Sequence, residues 1–376
     1  MLLFDTSPGR DLEPRINWGF GAEACPSWGE FLPLHYKVCV FTPDIPLLCT
    51  AKFEAMPKPM DDQALMNLFV SHLIERVERL KGGSRLVHYT SADNAYKIIS
   101  GKQVWLRNAH LMNDYSEMRH GLECLQAAWN STAGVNLQEW LDLNWQGIKT
   151  EIESTFNDHA SSMTDDTYMI CLSEHDDDED NYGRLSMWRA YGGRAGVALV
   201  LNTTTFLSDT HAMAVYSMPV VYRDRDQFVQ WFQSWAAAIM DAGSAITKID
   251  RQLILNHFFY AFRSFVLATK HPGFKEEREW RVFHSPSIDG ASPWIDISTE
   301  TVGGIPQQVV KVALKDDPEV GVMGAAPETL INRVIIGPCE TPLPIRAALG
   351  HAMTTASVQE AWSKIWMSFI PLRDRQ

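Results

Sequence analysis

The sequence predicts an α+β fold with a mixed β-sheet core surrounded by helices. Two observations predict it. Short runs of β-branched and aromatic residues, such as "RLVHYT", "TYMICLSE", "GVALVLN" and "INRVIIG", are interspersed with windows of helical apolar spacing. The two kinds of segment do not alternate strictly, as a doubly wound parallel sheet would require.

The elements follow in chain order. Residues 1–60 carry short apolar pieces broken by Pro14, Pro26, Pro33, Pro43, Pro46, Pro57 and Pro59, and read as an N-terminal extension with short strands at 36–41 and 47–53. Met56 and Met60 offer alternative starts for the chain. From 61 to 376 a single α+β domain is expected. "DDQALMNLFVSHLIERVERL" (61–80) has apolar residues at helical spacing and acids in its first turn, which suit the positive end of a helix. Lys81-Gly82-Gly83 stops it and the strand 85–90 follows. Ser91 is placed to cap the helix 92–100, Gly101 to end it, and 103–108 is a second strand.

Helical patterns occupy 114–130 and 136–160, before a buried strand at 167–174. A short helix at 184–192 leads through Gly192-Gly193 into the strand 196–202, and "AVYSMPVVY" (214–222) is extended. Long helices follow at 224–242 and 246–269. Strands at 277–283, 308–315 and 331–337 and a helical tail at 342–368 complete the chain.

Composition narrows the function classes. Of the 376 residues 45% are hydrophobic and 21% charged, as in a soluble globular chain. The net charge of −13 argues against a general nucleic-acid binder, which needs a basic surface to displace counterions. Cys25, Cys39, Cys49, Cys124, Cys171 and Cys339 are scattered without metal spacing and are expected as reduced thiols. No apolar leader or membrane-length apolar run appears, so a cytoplasmic protein without membrane association is expected.

No dinucleotide fingerprint, phosphate loop, nucleophile elbow or zinc-protease motif is present. "YGGRAG" (191–196) reads as turn chemistry, and the acidic run "SEHDDDEDNYG" (173–183) as a solvated surface loop, since it lacks the ligand spacing of a calcium loop. Three stretches stand out. His88-Tyr89-Thr90-Ser91 closes a strand. Trp188 and Tyr191 share one helical face beside Arg189. "FKEEREWRVF" (274–283) sets Glu277 and Glu279 on one side of a strand, with Arg281 two residues on. Buried acids and arginines on a strand require partners, so an internal ion pair of Glu279 and Arg281 is the structural alternative to a functional one. His88 likewise has a structural alternative, a core histidine bonded to a backbone carbonyl.

In order along the chain, His88-Tyr89-Thr90, "IISGKQVWL" (98–106), Asn113-Asp114-Tyr115-Ser116-Glu117 and Cys171-Leu172-Ser173-Glu174 resemble the bacterial domain-of-unknown-function family 2971. Met187-Trp188, Tyr191-Gly192, Gly196, Val221-Tyr222 and Glu277-Arg278-Glu279-Trp280-Arg281 continue the resemblance, which covers about 85–285. The acidic insertion after Glu174 departs from the family's short linker. A strand ending in His-x-Thr and followed by a helix is also similar to the opening of ADP-ribosyltransferases of the H-Y-E type.

That second resemblance implies a split β-sheet and transfer of ADP-ribose from NAD to an acceptor, protein or nucleic acid, with release of nicotinamide in a toxin or phage-defence setting. It implies that His88, Tyr89 and Thr90 hold NAD and that Tyr191 stacks on the nicotinamide. Glu279 or Glu277 would be the catalytic carboxylate, and Arg107, Arg189 or Arg281 would hold phosphate. The chemistry suits these types, because a carboxylate stabilises charge developing on the ribose and arginine binds pyrophosphate in a bidentate manner. Two other classes stay open. One is a non-catalytic nucleotide-sensing or protein-binding module, suggested by 13 tryptophans and an expected exposed "WFQSW" (231–235). The other is a metal-dependent hydrolase or nuclease on Asp114, Glu117, Glu174, Glu277 and Glu279.

Overall fold

The β-branched runs become strands because their neighbours bury them on both faces. The computed structural model of the chain describes residues 62–112 and 117–371. The N-terminal extension with its two expected strands, and Asn113–Ser116, lie outside the described residues. Twelve strands occur among them: β1 (Arg85–Ser91), β2 (Gln103–Asn108), β3 (Tyr168–His175), β4 (Gly196–Leu201), β5 (Tyr216–Pro219), β6 (Val221–Tyr222), β7 (Thr269–Lys270), β8 (Glu279–His284), β9 (Ile295–Val302), β10 (Ile305–Ala313), β11 (Ile331–Ile336) and β12 (Ile365–Met367).

Ten strands form one sheet in the order β12-β11-β4-β1-β3-β2-β10-β9, with β8 on the free side of β3 and β5 beyond it. All its pairings are antiparallel except β11 with β12. The sheet is split. Along Tyr168–Ser173 one edge of β3 pairs with β8. The other edge holds β1 at Ser173–His175 and β2 at Tyr168–Met169, so β1 and β2 part company between those points. Among the described residues no helix is long and apolar enough to cross a membrane.

Helix boundaries depart from the sequence expectation where the backbone turns locally. The first helix is interrupted at Val70, giving Asp62–Phe69 and Ser71–Lys81. The stretch expected at 136–160 is two helices, Thr132–Asn144 and Ile148–Asp165, because Gly147 adopts φ 77° and reverses the chain. The tail is helical only over Pro342–Thr355. Ser357 and Glu360 then take left-handed φ values of 65° and 53°, and the chain returns as β12 along β11. Ser91 does cap its helix, accepting the Asn94 amide at 3.2 Å.

Cross-strand register sorts the side chains. Leu86, Leu199 and Val334 face the helices Ala92–Gly101 and Pro342–Thr355. Met169 and Phe283 face an aromatic helical layer that contains Arg225–Asp241 and Arg251–Ala268. The expected surface cluster at 231–235 belongs to this layer instead. Phe228, Phe232, Trp235 and Ile239 recur at helical spacing and are buried, and Arg223 covers Trp231 at 4.6 Å.

Glycine serves close packing beside β4. Trp188 is buried and donates its indole N–H to the Tyr182 carbonyl at 2.7 Å. A Cβ at Gly337 would lie 2.7 Å from Cε3 of its ring, and one at Gly196 3.1 Å away. Gly337→Ala should therefore destabilise the fold by about 1–3 kcal/mol, through overpacking of a rigid ring. Urea denaturation of the two proteins measures it.

Candidate functional site

The site assembles where the apolar helix Arg251–Ala268 ends. Its last turns are buried, and β7 continues from it directly into Lys270, which is itself buried. The parallel pair of β6 and β7 sets Tyr222 opposite Lys270. A 3-10 turn, Pro272–Glu277, then folds the chain back, Arg278 takes φ 45°, and β8 starts at Glu279. Glu277 and Glu279 are thus not on one strand, as the sequence pattern suggested, but on either side of a left-handed turn. Both still reach Lys270.

Lys270 Nζ lies 2.7 Å from Glu277 Oε2 and 2.8 Å from Glu279 Oε2. Arg281 Nε donates to Glu279 Oε1 at 2.8 Å, and its Nη1 donates to the Leu267 carbonyl. Two cations and two anions meet in low-dielectric surroundings, which is how charges are kept there. The Glu279 amide donates to the Tyr222 hydroxyl at 2.7 Å. Tyr191, 86 residues before Glu277, donates its phenol to Glu277 Oε1 at 2.9 Å. The Glu277 side chain is 20% exposed and that of Glu279 is 3% exposed, so only Glu277 can meet a bound molecule without rearrangement.

The electrostatics follow from these contacts. Burial raises the Glu279 carboxyl, but Arg281 and Lys270 outweigh it and leave its pKa lowered from 4.5 to about 2. Because the folded value lies below the unfolded one, this stabilisation is complete above pH 4.5 and is lost as the pH falls towards 2. On the order of 3 kcal/mol should disappear across that window in wild type, and Glu279→Gln should show no such loss. Urea midpoints at pH 6 and pH 3 test it. Burial, and then the Glu277 carboxylate, push the Tyr191 phenol up, so it remains a neutral donor.

Among the residues named from the sequence, the structure brings Tyr191, Glu277, Glu279 and Arg281 together. His88 and Thr90 point to the opposite face of β1. His88 Nδ1 lies 3.1 Å from the Cys171 carbonyl across the split, and the Thr90 hydroxyl accepts from Asn94 at 3.2 Å. Tyr89 lies on the same face as Tyr191, where it packs on Trp188 with ring centroids 4.8 Å apart and accepts the Arg184 amide. Arg107 bonds Gln307 between β2 and β10, and Arg189 is exposed on the helix Leu185–Tyr191. Arg281 is committed to the core.

The carboxylates set aside for a metal are engaged otherwise. Glu174 is held by Arg76 at 2.6 Å and Arg79 at 3.5 Å. Asp114 and the Glu117 side chain lie outside the described residues. Among the described residues no group of His, Cys, Asp and Glu is arranged to hold a metal ion.

Sequence reasoning missed Lys270 and Arg184. Lys270 carried a readable signal, a lone charge straight after an apolar helix. Arg184 bonds the Glu276 carbonyl and the Glu174 carbonyl, linking the 3-10 turn to β3. The acidic run lies at the surface as expected, with Asp177, Asp178, Asn181 and Tyr182 exposed, and it is also braced. Arg278 grips Asp176 and Glu179, Arg85 reaches Asp177 at 2.5 Å and Asp180 at 3.0 Å, and His175 meets Asp180 at 2.9 Å. Arginines arriving from distant segments turn a like-charged run into a docking surface.

Residues 187–282 match the family model described as "Protein of unknown function (DUF2971)". The matched range contains Tyr191, Tyr222, Lys270, Glu277, Glu279 and Arg281, and excludes His88 and residues 113–117. Neither the curated proteins nor the solved structures gave a match.

Proposed function

We propose that Tyr191 and Glu277 form the reacting end of a centre that transfers, or hydrolyses away, the ADP-ribosyl group of NAD. The hydrogen bond joining them supports this reading above all else. It unites two motif stretches far apart in sequence into an aromatic ring beside a partly exposed carboxylate. In the reaction the glycosidic electron pair leaves with nicotinamide and positive charge develops on the ribose. In this reading Glu277 stabilises that charge and accepts the proton of the incoming acceptor hydroxyl or water. Glu279, fully committed to Lys270 and Arg281, positions Lys270 and does not touch substrate. His88 takes no part, so the reading is a tyrosine–glutamate pair without the histidine of the H-Y-E pattern.

The test is release of nicotinamide from NAD by the full chain, with and without cell lysate to supply an acceptor. Wild type should release it and Glu277→Gln should not, while retaining the wild-type circular dichroism. Equal release by both proteins, or none from wild type in either arm, overturns the reading.

A further inference from the structure

We propose that a cavity on the face of the sheet opposite Glu277 binds a small, uncharged, apolar molecule that carries a hydroxyl group. This goes beyond the glycosyl-transfer reading and does not depend on it. The cavity has a volume of about 390 Å³ and lies between the helices Ser71–Lys81 and Ala92–Gly101, the inner face of β1, β3, β4 and β8, and the segment 205–218. Ile170 and Val282 are cross-strand partners in the interior of the sheet, yet both keep partial exposure, which the cavity they line accounts for.

The walls decide what can occupy it. They are mainly aliphatic, with Leu172, Leu199, Leu207 and Met213 among them. Roughly a dozen waters would fit by volume, but each needs two or more polar partners that such walls do not supply. Left dry, the wall atoms forfeit dispersion contacts on one side. A cavity in the size range of ligand pockets, apolar with a few polar groups, matches a small-molecule site.

One polar group on the sheet wall specifies the ligand. Trp280 closes one wall of the cavity at 1% exposure, and its indole Nε1–H is buried out of reach of a ligand. His88 also lines the cavity, and the Cys171 carbonyl next to Nδ1 requires the proton on that nitrogen. In the neutral ring Nε2 is then an acceptor. Burial lowers the His88 pKa, which keeps the ring neutral. A hydroxyl group complements His88 by donating to Nε2. An anionic ligand is disfavoured, because Arg263 is bound by Asp289 at 2.6 and 2.7 Å and at the rim Lys81 is bound by Glu78 at 2.7 Å, while the lining carboxylate Asp209 is exposed to solvent at the rim and offers a buried cation no partner.

The experiment titrates the uncharged fluorophore N-phenyl-1-naphthylamine into the full chain and displaces it with 1-naphthol or with naphthalene. A saturable rise in emission is expected, with 1-naphthol displacing the probe at a roughly three- to tenfold lower concentration than naphthalene. That advantage should vanish in His88→Phe. Ile170→Phe and Val282→Phe fill the cavity from two strands and should weaken probe binding by about tenfold or more. No saturable rise in wild type overturns the proposal, as does undiminished binding in filled variants that retain the wild-type circular dichroism. Equal displacement by the two competitors in wild type, a result that needs no variant, overturns the hydroxyl requirement.

Discussion

Glutamine in place of Glu279 is expected to lower the stability of the fold by about 3–5 kcal/mol, the range for breaking a buried ion pair by removing one partner. The side chain keeps its shape, so packing is not the cause. Arg281 is fully buried and its Nε loses the Glu279 carboxylate at 2.8 Å. Lys270 loses the Glu279 carboxylate and keeps that of Glu277 at 2.7 Å. The change removes a negative charge from beside two buried cations in a low-dielectric environment, where the desolvation penalty applies. Equilibrium urea denaturation with coincident fluorescence and circular dichroism transitions measures the loss. A change within about 0.5 kcal/mol, the range for surface substitutions, would show that water reaches the cluster.

Glu277→Gln should behave in the opposite way. Its side chain is partly exposed, so water screens part of the lost pairing with Lys270 and the cost should be smaller than for Glu279, about 1–2 kcal/mol. Nicotinamide release, in contrast, should fall by two to three orders of magnitude, as when an electrostatic stabiliser of a transition state is removed. Tyr191→Phe separates positioning from chemistry. It removes the 2.9 Å hydrogen bond that orients the carboxylate but leaves the carboxylate and an aromatic ring in place, so about a tenfold loss is expected. Initial rates at saturating and limiting NAD, for both variants and wild type, distinguish these outcomes. A Glu277→Gln protein that turns over normally would leave Lys270, Glu277 and Glu279 as a structural ion network.

The sequence by itself determined the local elements of this protein. "RLVHYT", "TYMICLSE" and "GVALVLN" became β1, β3 and β4, Ser91 capped its helix, and Trp188 and Tyr191 share the apolar cluster that helical spacing assigned them. Alternation also showed correctly that Glu279 and Arg281 share a face. These features depend on residues within a few positions of one another, where propensity and periodicity act.

The tertiary structure alone decided the rest. Alternation divides a strand into two faces but does not say what covers each one, so His88 fell on the cavity side and Tyr89 on the side of Tyr191. Which glutamate stays accessible depended on where Lys270 and Arg281 arrive, and on a left-handed turn at Arg278 that no pattern announces. The acidic run was braced by Arg85 and Arg278 from other elements, and the cavity arose from segments more than a hundred residues apart. Charge pairing and packing between distant segments depend on chain topology, and topology is set by the whole sheet at once.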